Sequence, residues 1–189
     1  MQPVIEHDIG FTYADYCTWP DDERWELIDG EAYAMGASSL AHQRIIGEIF
    51  IQLRNYLRGK KCQVFLSPCD VRLDADGYDN DVVQPDVLVV CDEKKLEDGK
   101  SVVGAPDLVI EVLSPSSSTH DLVRKYLLYQ QSGVQEYWVV DHDNKLVYVN
   151  ILTDGKFSGS VYENSNGIIP VGVLDGCSID MTEVFADPQ

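Results

Sequence analysis

A glutamate in the middle of an apolar run constrains this chain more than any other feature. Leu108, Val109, Ile110, Val112 and Leu113 have the length and composition of a core strand, and Glu111 stands among them. Withdrawing an isolated carboxylate from water is costly, so the fold must give Glu111 a proton, a paired charge or a cation. The same stretch and one upstream supply candidates. After the strand, Ser114 and Pro115 end the extended run, Ser118 or Thr119 can cap a helix, and Asp121 and Lys125 fall four apart on one face of it. Upstream, Gln84-Pro85-Asp86 leads into a second short apolar strand. If the two strands are neighbours, Asp86 and Glu111 meet and Lys125 arrives from the helix, which makes a metal site with a cation beside it.

The chain of 189 residues suits one domain with a real core, and a hydrophobic fraction of 44% fits a globular protein. Residues 1–24 read as an N-terminal cover, with Phe11, Tyr13 and Tyr16 on one side of a short helix. Residues 25–35 cross an Asp29-Gly30 hairpin turn. Ser38 or Ser39 can cap the next helix, in which His42, Ile45, Ile46, Ile49, Leu53 and Leu57 follow helical spacing. His42 is therefore aimed inward at the helix start, a position more often filled by a satisfied core histidine than by a ligand. Glu48, on a neighbouring stripe, reads as an ordinary surface glutamate.

Residues 62–73 read as one strand, or two broken at Pro68. The acidic residues 74–81 that follow fail the calcium-loop pattern, because its glycine and glutamate positions are Asp79 and Pro85; they read as a polar turn. Asp107 has a capping or turn role. Asp121, three residues after Ser118, has a capping reading that competes with a catalytic one. Residues 136–141 supply another core strand, and residues 145–151, 157–162 and 168–174 read as antiparallel strands that extend a single mixed sheet.

These residues carry a resemblance. Pro85-Asp86, Glu111-Val112 and a following lysine resemble the PD-(D/E)XK nucleases. More closely, Glu26-Leu27-Ile28-Asp29-Gly30, His42, Pro85-Asp86, Pro106-Asp107 through Ser114, Asp121 with Lys125, and Gly133-Val134-Gln135-Glu136-Tyr137-Trp138 look like the Uma-type family of putative restriction endonucleases, from about Trp25 to Asp141. One departure is that Leu113 stands where the parent pattern has its lysine, and the resemblance implies that Lys125 takes over that role. It implies an α/β (α+β) fold, a restriction-endonuclease-like mixed sheet flanked by helices with added antiparallel hairpins. The core would span residues 25–141, with C-terminal strands over residues 142–189. It also implies hydrolysis of phosphodiester bonds in nucleic acid, with DNA the expected substrate. The catalytic residues would be Asp86, Glu111 and Lys125, with His42 and Asp121 as secondary candidates. Mg2+, replaceable by Mn2+, would be held by Asp86, Glu111 and the backbone carbonyl of Val112. A homodimer is implied as well.

Charge argues the other way. The formal net charge of −18 and a pI near 4.3 repel DNA at long range, although screening beyond roughly 8 Å and a bound divalent cation reverse this locally. Arg54, Arg58, Lys60 and Lys61 form one small basic group, read first as solvated cations at a helix end. The other open reading is therefore a nuclease-like binding or regulatory module without catalysis, with Glu111 held by a buried Lys125 or Arg124 as a structural ion pair. Five cysteines without CxxC or zinc spacing argue against a complete disulfide framework and for a reducing compartment. With no basic leader and no long apolar run, the chain is expected in the cytoplasm, away from membranes.

Overall fold

The computed structural model describes residues 10–20, 22–75, 77–113, 120–163 and 167–186, with backbone only for 120–122. A single helical turn, α1 (Tyr13–Tyr16), precedes the hairpin β1 (Trp25–Ile28) and β2 (Glu31–Ala34). Then come α2 (Leu40–Leu57), β3 (Gln63–Leu66), β4 (Val71–Arg72), β5 (Val82–Val83), β6 (Val87–Val90), β7 (Val102–Val103) and β8 (Leu108–Val112). A π-helical segment, His120–Lys125, runs into α3 (Tyr126–Ser132). The chain continues through β9 (Glu136–Asp141), β10 (Leu146–Thr153), β11 (Lys156–Glu163), β12 (Ile168–Pro170), β13 (Ser178–Asp180) and α4 (Met181–Val184).

The class is the expected mixed α/β one, but the strands do not form one sheet. They divide into a six-stranded sheet, β11-β10-β9-β8-β6-β3, a five-stranded one, β2-β1-β5-β4-β7, and the pair β12-β13. Residues 168–174 therefore do not extend the main sheet, and β3 and β4, which part near Pro68, go to different sheets. Alternation in a sequence shows that a strand exists and leaves its partner open, because pairing is set by tertiary packing.

In the main sheet β8 and β9 run parallel, and α3 makes the crossover that such a pair requires. Opposite faces bury different clusters. Val87, Val89, Leu108, Ile110, Val112, Trp138 and Val140 pack with α2 and the C-terminal elements. Leu88, Val90, Val109, Leu113, Tyr137 and Val139 pack with α3 and with residues of the second sheet, such as Ile28, Val71 and Val83. The result is three layers around the main sheet. The local signals behave as the sequence indicates. Asp29 and Gly30 take φ of 53° and 75°, as a two-residue hairpin turn needs. Ser39 caps α2, its side chain accepting from the His42 N–H, and the inward stripe from His42 to Leu57 is buried.

The cysteines form one cross-link and no complete framework. Cys62 and Cys91 flank the antiparallel pairing of Gln63 with Val90 and are joined as a disulfide, while Cys17, Cys69 and Cys177 are free. The pairing of strands, which the count does not contain, brings the two thiols opposite each other.

The turn between β4 and β5 is organised by Asp74, whose Oδ1 accepts from the N–H groups of Asn80 and Asp81, and by the bidentate Arg72–Asp79 pair. Burial pushes the Asp81 carboxyl up from its ordinary 3.8 to about 6, against the lowering effect of the Asp29 N–H it accepts from. The folded protein therefore holds a proton that the unfolded chain gives up. That stabilisation is complete below about pH 3.8 and is lost as pH rises through about 6. After discounting for solvent screening the loss is about 1 kcal/mol. Asp81→Asn is expected to remove this step, as urea denaturation at pH 4 and pH 7 will measure; parallel profiles for the two proteins contradict it.

Candidate active site

Strand register sets the site. β6 and β8 are antiparallel with Val87 opposite Ile110, which leaves Asp86, just before β6, and Glu111 at the same end of the two strands. Pro85 precedes Asp86, and the Asp86 carboxylate continues the ladder where the strand backbone does not: its Oδ2 accepts from the Val112 N–H at 2.8 Å. Asp86 thus reaches the backbone of the residue that follows Glu111.

Lys125 arrives at the junction of the π-helical segment with α3. Its Nζ lies 2.8 Å from Glu111 Oε1 and 2.9 Å from Glu26 Oε1. All three residues are no more than 4% exposed. One turn on, the Tyr129 hydroxyl donates to the same Glu111 oxygen at 2.8 Å. Burial, and next the Glu111 charge, hold the Tyr129 phenol well above its ordinary value, so it stays a neutral donor. Glu26 Oε1 also accepts from the Gln84 N–H at 2.8 Å. The Gln84 side chain accepts from Arg24 and donates to the Tyr16 hydroxyl and Asp70, tying the hairpin to the strand entrance.

His42 is buried within reach of this cluster. Its Nε2 lies 2.9 Å from the Val112 carbonyl oxygen and 3.1 Å from Asp86 Oδ2. Both partners are acceptors, so Nε2 carries the hydrogen and His42 bridges the carbonyl and the carboxylate. Ser118, Thr119 and the Asp121 side chain lie outside the described residues. Asp107 has the capping role expected, its Oδ2 accepting from the Cys91 N–H. Leu113 packs among apolar side chains on the Glu111 face of the sheet. Arg54, Arg58, Lys60 and Lys61 are exposed at the far end of α2, and Glu48 is half-buried on its side.

Sequence reasoning gave Glu26, Gln84 and Tyr129 no role. Glu26 had a signal, since it alternates with Leu27 on a hairpin whose Ile28 also faces inward, which makes it a second carboxylate on a buried surface. Tyr129 follows Lys125 by four residues, the spacing of one helical face.

Glu26 and Glu111 share the Lys125 ammonium, and Asp86 is held by the Val112 N–H and by His42. Among the described residues no three His, Cys, Asp or Glu side chains converge as a metal site, so a cation here would have to draw on Asp86, Glu111 and the Val112 carbonyl. Two hard carboxylates and a carbonyl, with water completing the shell, are the kind of set a small divalent cation accepts. In donor type these residues would suit Mg2+.

The profile of Uma2, described as a putative restriction endonuclease family, matches residues 13–182. The chain belongs to this family. Beyond the Uma2 match, the chain is 34% identical over 132 residues to the uncharacterized protein slr1290 of Synechocystis sp. (strain ATCC 27184 / PCC 6803 / Kazusa). That alignment covers 67% of this chain and 66% of the relative, just under two thirds of its length. The crystal structure of a putative nuclease belonging to DUF820 from Anabaena variabilis ATCC 29413 superposes with a TM-score of 0.75 at 19% identity, covering 93% of this chain and 97% of that one. This likeness speaks for the fold, a mixed sheet flanked by helices. The Uma2 match includes every residue of the buried cluster, Glu26 among them.

Proposed function

We propose that this chain is a metal-dependent endonuclease that hydrolyses phosphodiester bonds in nucleic acid, with DNA as the first substrate to test. The observation that carries the reading is a lysine held between two buried glutamates, with the Asp86 carboxylate bonded to the Val112 N–H beside Glu111. Asp86, Glu111 and the Val112 carbonyl would hold Mg2+ or Mn2+. When bound, such an ion polarises the phosphoryl group and lowers the pKa of its water. Lys125, fixed between Glu26 and Glu111, presents positive charge where negative charge develops on the substrate. Tyr129 and Gln84 hold the two glutamates, and His42 orients the Val112 carbonyl and Asp86. Lys125 occupies, from the helix, the charge position that Leu113 leaves vacant on the strand. A homodimer would present two such centres to a duplex.

The test is cleavage of supercoiled plasmid and of single-stranded DNA with Mg2+ or Mn2+. Glu111→Gln is expected to lower the rate at least about a hundredfold, and Lys125→Ala to reduce it, on the scale of losing one preorganised charge contact. Equal, metal-independent cleavage by all three proteins refutes the reading.

A second reading has one observation in its favour. Lys125 already neutralises Glu111 at 2.8 Å, as a structural ion pair in a non-catalytic binding module would. Metal affinity separates the two, since that module needs no cation.

A further inference from the structure

A cleft of about 360 Å³ lies beside the buried cluster, between the β1–β2 hairpin and α3. Its size falls in the range of roughly 300–1,000 Å³ typical of ligand sites. Its position follows from register: Tyr33 pairs with Glu26 across the hairpin and Glu31 with Ile28, so all four side chains share one face. Arg124 is the neighbour of Lys125 in sequence. The cleft wall therefore adjoins the cluster through Tyr33, the cross-strand partner of Glu26, and through Arg124, next to Lys125.

The lining is polarised. The Arg124 guanidinium lies 4.9 Å from the centre of the Tyr33 ring and donates to its hydroxyl, which in turn donates to Glu31 Oε2 at 2.6 Å. The ring and Arg124 form an aromatic and cationic wall. Leu127 and Leu128 give an apolar floor, and Gln131, Asp29 and Glu31 line the rest with amide and carboxylate groups.

We infer that this cleft binds one unpaired nucleotide of the substrate strand, adjoining the phosphate at the buried cluster. This rests on the nuclease reading and specifies its substrate as a strand with an exposed base. The phosphate belongs at Arg124, the cation of the lining, where it displaces Glu31, whose Oε2 lies 4.0 Å from the guanidinium. The base belongs against the Tyr33 ring and the leucine floor, because every base has a face to stack and only a single-stranded or extruded base offers it. Its edge meets Gln131 and the carboxylates, which accept from exocyclic amino groups.

The experiment compares binding of a fluorescein-labelled single-stranded 12-mer and its duplex by anisotropy, on Glu111→Gln protein, with steady-state cleavage by the otherwise native chain. Tyr33→Ala and Arg124→Ala are each expected to weaken single-strand binding about tenfold, the scale of one lost stacking contact. Each should raise KM with little change in kcat. Tyr33→Phe, which keeps the ring, should bind within about twofold of its parent. Lys156→Ala, an exposed cation lost from β11, should change neither. If the native chain cleaves but Tyr33→Ala and Arg124→Ala leave KM and binding unchanged, the cleft is no subsite and the nuclease reading survives. Equal losses in Lys156→Ala reduce the effect to general charge and overturn the inference. A native chain that neither binds nor cleaves either strand form removes the nuclease reading and this inference together.

Discussion

Lys125→Met is expected to lower folding stability by about 3–5 kcal/mol, the cost of removing one partner from a buried ion pair. Methionine fills much of the same volume, so the loss is electrostatic. Glu26 and Glu111, both almost fully buried, then face each other with no ammonium between them. Tyr129 and the Gln84 N–H still donate one hydrogen bond to each and do not balance the charge. Urea denaturation reads the effect directly. Adding Glu26→Gln to Lys125→Met should restore part of the loss, because one of the two opposed charges is gone. The coupling between the two sites is then read from the double-mutant cycle. A loss below about 1 kcal/mol for Lys125→Met is the figure expected of an exposed pair, and it would mean that the cluster is hydrated in solution.

Metal should stabilise the same cluster. At a concentration one hundred times its Kd, a ligand that binds only the folded state adds about 2.7 kcal/mol. For a chain of this length that corresponds to a rise in Tm of about 5–10 °C. Mg2+ and Mn2+ are expected to produce such a rise and Na+ at matched ionic strength is not, because the carboxylate charges of Asp86 and Glu111 and the Val112 carbonyl are hard oxygen donors suited to a divalent cation. Asp86→Asn and Glu111→Gln each remove a donor and one of those charges, and should abolish most of the shift. In Glu111→Gln the lysine keeps its contact with Glu26, so the variant remains folded and the comparison is clean. An unchanged Tm in the native protein at millimolar Mg2+ and Mn2+ removes the metal from the proposal and favours the binding module.

Much of this arrangement can be read from the chain before any coordinate is known. Glu111 within an apolar run already states that a buried charge needs a partner, and Lys125 on the following helix is a partner within reach. The Asp29-Gly30 turn, the Ser39 cap and the inward stripe of α2 are local signals, each decided by residues within one or two turns of one another. Glu26 shows where such reading stops. Its own segment places it on a buried face, but nothing nearby indicates that the hairpin will lie over Lys125. Tyr33 and Arg124 are separated in sequence by three strands of the main sheet, β3, β6 and β8, and meet only because the hairpin packs beside α3.

The short elements β5, β7, β13 and α4 left no readable signal, while local pattern was enough for the longer strands, the helix α2 with its inward face, and a buried carboxylate that requires a counter-charge. These follow from periodicity, turn chemistry and the cost of desolvating charge, all of which act over short stretches of chain. Only the tertiary structure decided how the strands divide between two sheets, that Cys62 lies opposite Cys91, and that Glu26 shares Lys125 with Glu111. Those outcomes depend on which distant surfaces bury each other, and a one-dimensional pattern carries that information only where, as at Glu111, a misplaced charge demands a partner.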